Sequence, residues 1–588
     1  MGFQTIRWAG FYENMKRTAF FLAVGAVLLV VVQLLDGRPV FIVNAHVLTL
    51  DAESSVADSL LLEGGRIVFA GAQASMSSSL PPFTKIVDMQ GRTIVPGFVD
   101  AHSHFPAAGL IEAGVDMTPP PTGNVSTLQI LLDKVSVQAS TLSENDWVVG
   151  FNYDDSSLDV ARHPTRDELD RVAPNNPVYL WHRSGHMGVA NTLALQAFGF
   201  EDEIMNRAAT EGVDLPDRDD SGQLTGLLQE GAAPSMSFLL RQLSVFRLFK
   251  ALLSARDQYL SAGVTTAQNG FADIPSMLML RWSQRLGLIP QRLVIWPAHD
   301  KVYDRLHIES IGAVQAPSDE LAKAIGWDSN PARFAITAIK LIADGSPQGR
   351  TAWLTEPYLD DAAGSGYRGF ANLPELEFKS LVRRYHNAGF QLAMHGNGDA
   401  AIDLIIAAVA DAQALNYRKD SRHLLVHGQL IRVDQLAQLA QLQISATFFP
   451  AHVHYWGDWY LNNLLGEKRA GAISPLALAE EAGIRFSIHS DAPVTPISSM
   501  QLLWSATNRE TLSGINLRQE LAIGRERALR AMTIDAAWQS RLDQDRGSLE
   551  VGKLADFVVL SENPLTYRDV RYINIKQVWI AGRNESFD

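Results

Sequence analysis

Apolar and polar positions follow different patterns along this chain, and each pattern predicts a different kind of element. The first is a run with no alternation. Residues 19–32 are apolar throughout, and with Thr18 and residues 33–35 the stretch reaches about 18 residues, the lower limit for a bilayer-spanning helix. Lys16 and Arg17 precede it. A secretory signal has a shorter apolar region and a small-x-small cleavage site, and none stands near Asp36. The pattern predicts an uncleaved signal anchor over residues 18–35. Basic residues before the run place residues 1–17 in the cytoplasm and the main body across the membrane. For a bacterial protein that means a single-pass inner-membrane protein with its body in the periplasm and the lipid bilayer as a partner.

Beyond the anchor the pattern breaks into short apolar runs. Residues 39–71 and 84–100 read as strands with turns at Asn44-Ala45 and Gly64-Gly65, and residues 547–564 and 573–583 read the same way at the far end. One small sheet domain built from residues 38–98 and 545–588 is expected. The middle alternates. Strand-like runs at 147–151, 178–180, 263–267, 293–296, 336–341, 391–394, 424–426, 444–448 and 484–488 are separated by helical patterns such as 374–387, 400–414 and 433–441. Strand–helix alternation implies a parallel sheet, and repeats of this size fit a (β/α)8 barrel over residues 99–544. Residues 110–250 are too long for one βα unit and are expected to hold an α/β insertion.

Composition narrows the function. The chain of 588 residues is 47% apolar and 19% charged with a net charge of −14, so a large core is available and no basic stripe for nucleic acid is present. A small-molecule substrate is the expected partner, with a homo-oligomer open. There is no cysteine, which excludes disulfides and thiolate metal sites, while histidine is plentiful at 15.

The chemistry-bearing residues stand where strand-like runs end. His102 and His104 follow the run that closes at Asp100, and on an extended strand residues two apart share a side. His395, His427 and Asp491 end three further runs. In a barrel, such ends form the active-site face. Imidazoles and a carboxylate suit a divalent ion such as zinc that keeps one position for water, and an aspartate beside that water can carry its proton. Asp491 is the candidate.

The stretches IVPGFVDAHSH, KLIADGSPQGRTA, HGNGDAA, VHGQ, HSDAPV and GSLEVGKLADFVVL together resemble the amidohydrolase superfamily, and within it the amidohydrolase-3 group with its N-substituted formamide deformylase-like enzymes. The resemblance spans residues 93–560. It implies a distorted (β/α)8 TIM barrel with a composite β-sandwich from both termini. It further implies His102 and His104 as first-strand ligands, His395 and His427 as fifth- and sixth-strand ligands, and Asp491 as the eighth-strand acid/base and ligand. Lys340 matches a fourth-strand lysine that is carboxylated in similar proteins and bridges two ions; unmodified, it implies one. The chain departs from the group's pattern after His395, where Gly-Asn-Gly-Asp replaces Ala-Ile-Gly-Asp, at Val426 and Gly428 around His427, and in GVTTAQNG, which lacks an acid.

Further matches are His186 and Asn191 in WHRSGHMGVAN, and Glu230. Arg350 offers a fork of donors to a substrate carboxylate or carbonyl. Residues 447–460 gather aromatics with His452 and Trp456 into a candidate substrate wall, and His489 reads as a neighbour of the ligands rather than a ligand. The expected function is hydrolysis by metal-activated water at a carbonyl carbon, cleaving a C–N bond of an N-acyl or N-formyl amide. A lactone or ester hydrolase on the same site is the alternative, and a membrane-anchored non-catalytic receptor is the alternative of another class.

Overall fold

The structure is a computed structural model and describes residues 38–76, 80–200, 217–219, 222–234, 236–306, 330, 332–359 and 366–586. Short Val-, Ile- and Leu-rich runs buried on both faces pair with parallel neighbours and are covered by helices. Such runs build the central body. β1 (Phe98–Val99), β2 (Val264–Ala272), β3 (Arg292–Pro297) and the first part of β4 (Phe334–Ile336) lie side by side, all parallel. The second part of β4 (Ile339–Ile342), β5 (Leu392–Gly396), β6 (Leu424–His427), β7 (Ser445–Phe448) and β8 (Phe486–Ile488) form a second parallel sheet in that order.

The two sheets meet at two seams. On one side Ala298, just past β3, bridges in parallel to Lys340. On the other, the N–H of Asp491 donates to the His102 carbonyl at 3.2 Å and that of His104 to the Ala492 carbonyl at 2.9 Å, which joins the ends of β8 and β1. The arrangement is an α/β, distorted TIM-barrel-like fold. Its core runs from Ala267, Leu293 and Ile339 to Met394, Leu425, Ala446 and Phe486, all 1% exposed or less. Helices such as Glu375–Asn387, Asp399–Leu415 and Val433–Gln441 alternate with the strands.

Three further sheets frame the barrel. Phe557–Leu560, near the end of the chain, pairs antiparallel with Thr93–Pro96, which itself pairs with His46–Leu48. This terminal sheet packs Ile94, Phe557 and Val559 against Leu60, Leu62 and Ile67 of a second small sheet. Between β1 and β2, Val148–Tyr153 runs parallel to Val115–Asp116 and Val178–His182, and antiparallel Met187–Ala190 and Leu227–Gln229 extend that sheet. A helix here starts at Thr165, whose hydroxyl accepts the Glu168 N–H while the Glu168 carboxylate accepts the Thr165 N–H, so two helix-end donors are satisfied reciprocally.

The expected membrane-spanning helix is corrected. Among the described residues no helix is long and apolar enough to cross a membrane. The longest described helices, Val245–Ser261 and Asp399–Leu415, have 17 residues each. That is about 26 Å of helix against a hydrocarbon core of about 30 Å. Both also carry charges, among them Arg247, Lys250 and Arg256 in the first and Asp399, Asp403 and Asp411 in the second. The anchor expected at residues 18–35 and the cytoplasmic segment expected at residues 1–17 lie outside the described residues. The single-pass inner-membrane topology, the periplasmic location and the bilayer partner are withdrawn.

Candidate active site

Chain ends of neighbouring parallel strands deliver side chains to one mouth of the barrel. His102 and His104 lie just past β1, Lys340 on β4, His395 on β5, His427 at the end of β6, and His489 and Asp491 just past β8. His427 and Asp491 adopt φ of 77° and 52°. A non-glycine residue in that region costs roughly 1–3 kcal/mol and persists only where its surroundings over-determine it. Here the strain falls on two residues that face each other, with His427 Nδ1 3.9 Å from Asp491 Oδ2.

Asp491 is the hub. Its Oδ1 lies 3.3 Å from His104 Nε2 and 3.5 Å from His102 Nε2. His102, His104 and Asp491 each bring one ligand atom within 4.8 Å of the others, and so do His427, His489 and Asp491. The His395 ring sits 4.5 Å from that of His427, centre to centre. Lys340 Nζ lies 3.1 Å from His102 Nε2. Asp491 Oδ1, His427 Nδ1, His395 Nδ1 and both nitrogens of His489 are buried without a hydrogen-bond partner. Each such atom costs about 1–3 kcal/mol if it stays unpaired. Nitrogen and carboxylate donors left unpaired on adjoining walls fit a divalent cation, which answers them together.

Burial sets the charge states. It pushes His102, His395 and His427 well below the usual imidazole range and His489 down to about 3, so these rings are neutral, the form that binds metal. Burial alone would raise Asp491, but the surrounding His102, His104 and His489 outweigh it and hold the carboxylate well below its ordinary range. Lys340, 2% exposed, is pulled down to about 7 by burial, which Asp491 opposes.

Supporting contacts fix the donors' orientation. His102 Nδ1 lies 3.0 Å from Gln268 Oε1, and its ring stacks on Trp296 at 5.4 Å. Gln268 belongs to the GVTTAQNG segment, whose missing acid obscured it. His395 Nδ1 is 3.2 Å from Asp344 Oδ1, though not aligned as a hydrogen bond. Burial pushes Asp344 up to about 7 although the N–H groups of Asn397, Gly398 and Trp353 all donate to it. The ADG sequence around Asp344 gave no sign of that role. His489, expected as a neighbour of the ligands, brings a ring nitrogen within 4.8 Å of ligand atoms of both His427 and Asp491.

The remaining candidates divide. His186 Nδ1 is 3.0 Å from Glu230 Oε2, and its ring is 5.2 Å from that of His395. Burial lowers His186, but Glu230 outweighs this and its pKa is raised. His452, with both nitrogens buried and unpartnered, lies 4.1 Å ring to ring from Phe449, which is 4.9 Å from His489. Trp456 packs on His452 at 5.0 Å but turns its Nε1 to Asp154. Arg350 holds φ 58°, and its carbonyl accepts the Tyr367 hydroxyl. Asn191 caps the helix Thr192–Phe198 and pins Val178 and Asn176, a structural role.

A sequence profile described as the amidohydrolase family matches residues 85–584, most of the chain. The chain belongs to the amidohydrolase family. The N-substituted formamide deformylase of Arthrobacter pascens is 29% identical over 554 residues, covering 93% of this chain and 98% of that protein. The protein LONG AFTER FAR-RED 3 of Arabidopsis thaliana is 27% identical over 541 residues, covering 89% and 87%. Among solved structures, an uncharacterized metal-dependent hydrolase from Pyrococcus horikoshii OT3 superposes with a TM-score of 0.67 at 21% identity, covering 91% of this chain and 99% of that one, which shows the shared fold. This amidohydrolase is an enzyme with a divalent-metal site, so the non-catalytic receptor reading is set aside.

Proposed function

We propose that this amidohydrolase cleaves the C–N bond of an N-acyl or N-formyl amide. The observation that carries the reading is the set of unpartnered imidazole and carboxylate atoms around Asp491, in a chain related along almost its whole length to a protein named for N-substituted formamides. His102, His104, His395 and His427 would hold one or two zinc ions with Asp491, and His489 stands beside them. The ion supplies polarisation of the carbonyl and a lowered pKa for water. Asp491 takes the proton from the attacking water and returns it to the leaving nitrogen as the C–N bond breaks. The new C–O bond and the N–H bond balance the water consumed. His186, held by Glu230, reaches the substrate carbonyl side, Arg350 serves a carboxylate on the substrate, and His452 and Trp456 wall the other side. Burial keeps much of Lys340 as the neutral amine, the form that adds carbon dioxide; a carboxylated Lys340 would join the histidines in holding two ions, and the unmodified residue would go with one.

The test is direct. Zinc- or manganese-loaded protein is assayed against N-substituted formamides, N-acyl amino acids and lactones, following formate or carboxylate release. Amide turnover is expected. Turnover of lactones with no amide cleavage would move the assignment to the lactone or ester alternative.

A further inference from the structure

The inserted sheet touches the catalytic mouth through one buried arginine that neither motif nor spacing had singled out. Arg183 follows Val178–His182 and is 5% exposed. Its Nε donates to the Val494 carbonyl at 3.1 Å. Val494 closes the turn that begins at Asp491, since its own N–H donates to the Asp491 carbonyl at 2.8 Å. Arg183 Nη1 lies 3.6 Å from Asp154 Oδ2, the oxygen that accepts Trp456 Nε1 at 3.1 Å. The guanidinium also covers the ring of Trp456 at 4.8 Å and that of Tyr455 at 5.6 Å. One side chain thus joins the insertion, the helix after β7 (Ala451–Trp459) and the loop after β8.

A metal reading of the neighbouring group fails. Asp154, Asp155 and His182 approach one another closely. But Asp154 Oδ1 already accepts the Ser156 N–H and hydroxyl at 3.1 and 2.6 Å, and its Oδ2 serves Trp456 and Arg183. Both of its oxygens are already committed, Oδ1 to Ser156 and Oδ2 to Trp456 and Arg183.

We propose that Arg183 is a positioning residue through which the insertion sets both the aromatic wall at Tyr455 and Trp456 and the turn that carries Asp491. The inference rests on the hydrolase reading for its kinetics. Its consequence is a specificity device for substrates with an apolar N-substituent. A small substrate feels only the Asp491 turn, and a substrate with an aromatic arm feels the wall as well. Lysine cannot replace the fork, because a single ammonium cannot reach Val494, Asp154 and two ring faces in fixed directions.

Arg183→Met, Arg183→Lys and Asp154→Asn are compared with the wild-type holoenzyme on N-phenethylformamide and N-methylformamide. For Arg183→Met, kcat is expected to fall by a common factor on both, while KM rises about tenfold for the aromatic formamide and by less than about twofold for the small one. Metal content stays at the wild-type level, Arg183→Lys matches Arg183→Met, and the double variant with Asp154→Asn is non-additive. Equal KM changes on both substrates, or rescue by lysine, would overturn the inference. If the wild type hydrolyses neither formamide, the substrate reading falls, and Arg183 is judged by hydrogen exchange instead. Arg183→Met should speed exchange in residues 451–459 and 491–494 together and leave 392–396 and 424–427 unchanged. Unchanged exchange in the first two segments refutes it.

Discussion

His102 is held so closely that its neighbour's missing side chain matters. Gln268 fixes its Nδ1, Trp296 covers its face, and a Cβ on Gly270 would overlap its ring at Cε1 and Nδ1. Gly270→Ala must therefore displace the imidazole, and metal affinity is expected to drop about 10–100-fold, as when an orienting partner is lost. Titration of the apo-protein with zinc reads this out, and wild-type affinity would mean that the ring is not in the ligand set. Asp491→Asn should instead reduce kcat by about 10²–10⁴ while bound metal remains, because the histidines keep their nitrogens; full activity would count against the proton shuttle. These residues were legible because a strand's two-residue period puts His102 and His104 on one side. Gln268 was not. Its value comes from β2 lying beside β1, a neighbourhood that residues 166 positions apart do not announce.

At the scale of elements, the loops after β4 and β5 are one unit, tied by a single carboxylate. Asp344, fully buried, collects the N–H groups of Trp353 at 3.0 Å, Asn397 at 3.0 Å and Gly398 at 2.8 Å, and its Oδ1 faces His395. Gly398 cannot yield, since a Cβ there would run into the Trp353 carbonyl. Asp344→Ala leaves these donors unanswered and should cost at least about 2 kcal/mol of stability, measured by denaturant unfolding, with weaker metal binding as His395 loses the carboxylate that its Nδ1 faces. A loss confined to stability would separate Asp344 from the metal site. The strand–helix alternation behind these loops was readable, since β5 and β6 are continuous apolar runs followed by helical periods. Two features were not. β1 is two residues long, too short for any periodicity, and the break in β4 at Thr337 and Ala338 interrupts a run that reads as continuous.

For the whole molecule, the question is what binds the terminal sheets to the barrel. Both β-rich ends were visible in the pattern of short runs, but the tie between them and β3 was not, because its partners stand 264 residues apart. Arg292, on β3, donates from Nη2 to Asp556 Oδ1 at 2.9 Å, and the same oxygen accepts the Ala581 N–H at 2.7 Å. The side chains are 5% and 3% exposed. A buried pair of this kind adds little over an apolar contact of the same shape, yet removing one member strands the other, at a cost of about 3–5 kcal/mol. Asp556→Ala is therefore expected to destabilise the protein by that amount, and Arg292→Met with Asp556→Leu to recover much of it. If the pair couples the terminal sheets to the barrel, thermal unfolding of Asp556→Ala followed by tryptophan fluorescence and by far-ultraviolet circular dichroism will split into two transitions where the wild type shows one. A single transition at wild-type temperature would place the coupling elsewhere, in the apolar contacts of Phe98 and Val558 around Gly263.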